Sequence, residues 1–143
     1  YKRQGMRCQA ETPTERIRIT GSQSVYDMMR SKLQLLNHEE FWIVLLSRAN
    51  LVIDTMRLSQ GGSAGTVVDT KLLFKRVLEY GDVVAGIILV HNHPSGTCRP
   101  SREDDMLTQR IKNGGELLDI RVLDHLIITP SSYYSYNDEG RMT

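Results

Sequence analysis

A chain of 143 residues with 40% hydrophobic side chains can bury about two-thirds of its unfolded surface in one core. One domain is expected, and two full domains or a disordered chain are not. The 18 basic and 17 acidic residues leave a net charge of +1, too little for the field of a nucleic-acid-binding or anionic-membrane surface.

Residues 1–16 are polar, charged and without apolar period, and read as a flexible leader to a domain over residues 17–143. Ile17–Thr20 suggests a short edge strand. Ser22 or Ser24 is a suitable N-cap for a helix over Val25–Leu36, with Met28, Met29 and Leu33 inward. The unbroken run Phe41–Leu46 predicts a buried strand. A turn at Arg48–Asn50 leads to a second strand over Leu51–Leu58, then to a flexible glycine-rich loop over residues 61–65. Asp69 caps a predicted helix from Lys71 to Glu79. Val83–Val90 is the most buried strand and the longest apolar run, far below the ~20 residues that span a bilayer. A loop with two prolines and a glycine runs from His91 to Pro100. Ser101 then opens a helix that Gly114-Gly115 is expected to close. Leu117–Val122, Asp124–Thr129 and Tyr133–Tyr136 read as further strands. The alternation predicts an α/β domain, a mixed sheet flanked by helices.

Chemistry concentrates in His91-Asn92-His93-Pro94-Ser95-Gly96-Thr97-Cys98-Arg99-Pro100-Ser101-Arg102-Glu103-Asp104. Residues two apart on a strand point to one face. His91 and His93 leave a buried strand at its C-terminal end, where α/β folds place their sites. Two convergent imidazoles suit Zn²⁺, and a catalytic zinc takes three protein ligands while leaving one position open. Asp104, in the first turn of the next helix behind two stiffening prolines, is the expected third ligand. Ser101-x-x-Asp104 is also a capping-box pattern that needs no metal. A hydrolytic zinc needs a carboxylate base. Glu39 and Glu40 both stand before the strand at Phe41, and periodicity cannot choose between them because that strand is apolar on both faces. Cys8 and Cys98 form no CxxC and suit a reducing cytoplasm. Cys98 is expected to pack inertly, His125 to pair structurally with Asp124, and His38 to be an exposed turn residue.

Glu40-Phe41 followed by His91-x-His93, seven residues, Ser101, two residues and Asp104 resembles the JAMM (MPN-plus) metalloprotease motif. His91-Asn92-His93-Pro94-Ser95-Gly96, Leu118-Asp119-Ile120, Leu123-Asp124-His125-Leu126-Ile127-Ile128 and Tyr134-Ser135-Tyr136 are similar to the bacterial RadC family, over roughly residues 24–140. The resemblance implies a JAMM α/β domain related to the zinc deaminases, and a peptidase or isopeptidase with one Zn²⁺ held by His91, His93 and Asp104. It implies Glu40 as general base acting on the zinc water, and Ser101 as a stabiliser of the tetrahedral intermediate. Thr97-Cys98-Arg99 and Val68-Asp69-Thr70 depart from the family wording in regions that face substrate.

RadC proteins carry a DNA-repair label, so a DNA-associated binding module with a structural or vestigial zinc site is the competing expectation. Balanced charge and the lack of any helix–hairpin–helix-like segment oppose it. A nucleobase deaminase needs His-x-Glu with Pro-Cys-x-x-Cys, and the sequence has neither. The expected substrate is therefore a peptide or protein; nucleic-acid binding by this chain alone is not expected, and neither is a membrane partner.

Overall fold

Strand and helix formers settle into a three-layer arrangement in the computed structural model, which describes residues 16–60 and 68–142. In chain order the elements are α1 (Ser22–Leu33), β1 (Glu40–Leu46), β2 (Val52–Gln60), α2 (Thr70–Leu78), β3 (Gly86–Asn92), α3 (Arg102–Leu117), β4 (Arg121–Ile128) and β5 (Tyr133–Ser135). The five strands make one sheet in the order β2-β1-β3-β4-β5. Among the described residues only β3 and β4 pair in parallel, with α3 as their connection, so the sheet is mixed as expected. No helix among the described residues is long and apolar enough to cross a membrane.

Strand parity sorts the apolar residues into two cores. Val44 and Leu46 of β1 with Ile88 and Val90 of β3 pack under α1, against Val25, Met29 and Leu33. Phe41, Ile43 and Leu45 with Ile87 and Leu89 face the other way, against Leu73 and Val77 of α2 and Ile111 of α3. Every residue of β3 is buried, as a central strand covered on both faces requires.

Several boundaries differ from the sequence expectations. The first helix begins at Ser22 with Gly21 as its N-cap. Ser24 lies inside the first turn, where its Oγ accepts from the N–H groups of Thr20 and Gly21. Ile17–Thr20 makes a single bridge, Arg18 to Leu51, instead of a strand. β3 starts at Gly86, after a short 3₁₀ turn over Gly81–Val83, and carries His91 and Asn92 within the strand. Asp69 does cap α2, accepting from the Leu72 N–H at 3.1 Å. The expected leader lies almost wholly outside the described residues, as does the loop at 61–65.

Gly114 and Gly115 do not close α3; they lie inside it. Their smallness serves packing: a Cβ on Gly115 would sit 2.4 Å from the Ile120 carbonyl oxygen, and one on Gly114 would sit 2.8 Å from the Phe74 ring. Of the expected strand at Leu117–Val122, the first four residues are instead the end of α3 and a turn, in which Asp119 takes φ 57, while Arg121 and Val122 open β4. The pairing of β4 with β3 then skips Leu123, since Val122 pairs with Ile87 and Asp124 with Ile88. That irregularity shifts the parity of β4, so His125 shares a face with His91 while Asp124 turns the other way.

Candidate metal centre

The C-terminal end of β3 and the N-terminal turn of α3 meet at one point. His91 Nε2 lies 3.0 Å from His93 Nε2 and 3.2 Å from one Asp104 carboxylate oxygen, and His93 Nε2 lies 3.2 Å from the other. The side chain of His91 is 3% exposed, those of His93 and Asp104 12% and 15%. The cluster is thus sunk into the fold on one side and open on the other.

Local structure holds each group. His91 is the last but one residue of β3, paired with Phe41 of β1 and Ile127 of β4. The His93 N–H donates to the Ile128 carbonyl, and its Nδ1–H donates to the Thr97 carbonyl at 2.9 Å, leaving Nε2 aimed at the cluster. Asp104 sits in a reciprocal capping box. The Ser101 N–H donates to Asp104 Oδ2 at 2.8 Å, and the Asp104 N–H donates to Ser101 Oγ at 3.0 Å. Glu103, Asp104 and Asp105 in this turn offset the partial positive charge of the helix N-terminus.

Electrostatics match the geometry. Burial opposes charge on Asp104, but the close His91 and His93 rings and the hydrogen bond from the Ser101 backbone hold its carboxyl well below the usual range. Burial also opposes charge on His93, yet Asp104, the Thr97 carbonyl and the Glu39 carboxylate together raise its pKa. An anionic carboxylate and two ring nitrogens crowded into one spot make a donor set for a cation. Each of the three residues offers one ligand atom, and these atoms all lie within 4.8 Å of one another. His91, His93 and Asp104 can hold a metal ion, and two nitrogens with one oxygen suit a tetrahedral divalent ion with an open position.

Glu40 is not brought to this cluster. It shares the α1 face of β1 with Trp42 and Val44, whereas Phe41 stacks on His91 on the opposite face, ring centroids 5.9 Å apart. Its buried carboxylate accepts from Trp42 Nε1–H at 3.0 Å and His38 Nε2–H at 2.9 Å, with Arg57 at 3.5 Å. Its own N–H donates to the Asn92 side-chain oxygen. By strand parity the neighbouring Glu39 belongs on the face of Phe41 and His91, and its charge is felt at His93. His38 is therefore a partner of Glu40 and not merely an exposed turn residue. Cys98 contacts the Ser132 hydroxyl.

His125 departs furthest from expectation. Asp124 touches only its backbone N–H. The ring instead lies 2.8 Å from His91 Nδ1 through Nε2 and 2.5 Å from Thr108 Oγ1 through Nδ1, stacked on Tyr136. Asn92 is also part of the surroundings: its side-chain amide donates to the His38 carbonyl while its oxygen accepts from Glu40, which ties the segment carrying Glu39 to β3. Thr108, one helical turn after Asp104, could have been flagged by that spacing. His125 could not, because its neighbour is set by non-local strand pairing.

A family model for the RadC-like JAB domain matches residues 19–141. The UPF0758 protein of Flavobacterium johnsoniae is 48% identical over 136 residues, covering 95% of this chain and 58% of that protein. The UPF0758 protein of Porphyromonas gingivalis is 41% identical over 123 residues, 85% of this chain and 53% of that protein. That of Staphylococcus haemolyticus is 39% identical over 136 residues, 95% and 59%. The chain spans a little over half the length of these curated relatives.

Proposed function

The chain belongs to the RadC-like JAB domain family, and from that premise we propose that it is a zinc-dependent amide hydrolase, a peptidase or isopeptidase. His91, His93 and Asp104 are its ligands. One observation carries the reading: the ring nitrogens of His91 and His93 that face away from the cluster are each hydrogen-bonded elsewhere, so the free ends of both rings converge on one carboxylate. Zn²⁺ held there supplies Lewis-acid polarisation of a carbonyl and lowers the pKa of water to about 7.

The remaining chemistry belongs to the chain. Glu39, in place of the expected Glu40, is the proposed base: its carboxylate takes the proton of the attacking water and returns it to the leaving amine nitrogen. Asn92 and Glu40 keep that segment against β3. Ser101 Oγ accepts from the Asp104 N–H as a cap, so its own proton is left to donate to the developing oxyanion. The partly exposed side of the cluster is where the substrate carbonyl enters.

The test is hydrolysis of a peptide and isopeptide library by the zinc-loaded protein. Glu39→Gln should keep its zinc and lose at least ~10²-fold in rate, the scale of a general base. Glu40→Gln should stay near wild-type rate. A wild-type protein inert on every member, or a Glu39→Gln variant as fast as wild type, would reject this function.

A further inference from the structure

A buried histidine with no ion partner must be neutral, with one ring nitrogen a donor and the other an acceptor. His125 is such a residue: its ring is fully buried, stacked on Tyr136 at 4.8 Å and edge-on to Phe41 at 5.9 Å. Its two nitrogens meet only Thr108 and His91 among the described residues. The hydrogen positions follow in sequence from one end. The Thr108 hydroxyl donates its single proton to the Asp104 carbonyl at 2.7 Å. The same oxygen, 2.5 Å from His125 Nδ1, can therefore only accept, and Nδ1 carries the hydrogen. His125 Nε2 is left with a lone pair, 2.8 Å from His91 Nδ1. The hydrogen of that contact must come from His91, and His91 Nε2 is left bare toward His93 and Asp104.

We propose that His125, held by Thr108, is a positioning residue that fixes His91 as its Nδ1–H tautomer and so presents the Nε2 lone pair to the metal. An unconstrained imidazole could place that proton on Nε2 and turn the ligand atom into a donor. The circuit also ends on the backbone of Asp104, so two ligands from two elements are referred to one another through Thr108. This role rests on the metal reading, but the tautomer itself can be observed without metal.

The first measurement is the ¹⁵N imidazole spectrum of the metal-free chain at a pH about two units above the ordinary histidine value. His91 should show a protonated Nδ1 and a bare Nε2; the opposite tautomer would overturn the proposal. Zn²⁺ affinity by chelator competition follows. His125→Phe keeps a ring against Tyr136 but offers no acceptor, and should bind Zn²⁺ about 10–100-fold more weakly. His125→Gln places an amide oxygen near the lost Nε2 and should recover most of that loss. Wild-type affinity in His125→Phe, or an equal loss in both variants, would leave only a packing role and reject the proposal. A wild-type protein that bound no Zn²⁺ yet showed Nδ1–H on His91 would refute the metal reading while upholding the tautomer assignment.

Discussion

Glu40→Gln separates the two adjacent acids because it strikes the α1 face of the sheet while the metal cluster lies on the other. Glutamine keeps an oxygen for Trp42 Nε1–H, at 3.0 Å in the wild type. Its amide group, however, replaces the oxygen that receives His38 at 2.9 Å and lies 3.5 Å from Arg57. A hydrogen bond to a charged group contributes about 1.5–3 kcal/mol. The Arg57 side chain is 51% exposed, so its share is small. His38 can switch tautomer and accept from the new amide, which recovers part of the loss. The expected net destabilisation is about 1–2 kcal/mol, read as a lower urea midpoint at unchanged slope.

The pH dependence has a definite sign. Burial pushes the Glu40 carboxyl up, but His38, Trp42 and Arg57 outweigh it and hold the pKa below the ordinary value. A depressed folded pKa contributes stability that is complete above the unfolded value and is lost as pH falls through the folded one. The wild-type advantage over Glu40→Gln should therefore be full above about pH 5 and shrink as the solution is acidified below the glutamate range. Zinc content should not change. A variant as stable as wild type that loses its zinc would place this carboxylate at the metal and refute the face assignment.

Gly115→Ala puts a methyl group 2.4 Å from a backbone oxygen, so the turn after α3 must move. A loss of about 2–4 kcal/mol is expected by calorimetry, and less for Gly114→Ala, where the obstacle is a phenyl ring that can turn. Ser101→Ala removes the α3 cap at a cost of about 1 kcal/mol. It also loosens Asp104, so chelator competition should show weaker Zn²⁺ binding at neutral pH. Acid should release the metal, because the ligand imidazoles must be neutral to bind and Asp104 and Glu39 favour the proton on His93. Dialysis at about pH 5 should leave less zinc than dialysis at about pH 7.5.

The cluster of His91, His93 and Asp104 is legible in the sequence because each part is local. Period-2 spacing puts His91 and His93 on one face, and Ser101-x-x-Asp104 marks a helix start whether or not a metal is present. Fold class follows from the alternation of apolar runs with helical patterns. The choice between Glu39 and Glu40 is not legible, because β1 is buried on both faces and only its pairing with β3 shows which side carries the histidines. The place of His125 is not legible, because the skipped Leu123 resets which residues of β4 share the face of His91, and only the pairing with β3 shows it. Gly114-Gly115 imitates a helix stop, since chain-terminating and close-packing glycines look alike until the Phe74 ring and the Ile120 carbonyl are in place.

Elemental analysis of the purified chain after growth in zinc decides whether His91, His93 and Asp104 hold a zinc ion. About one Zn²⁺ per chain is expected, with most of it lost in both His93→Ala and Asp104→Ala while the folded spectrum persists. Wild-type protein free of zinc, or full occupancy in both variants, would contradict it.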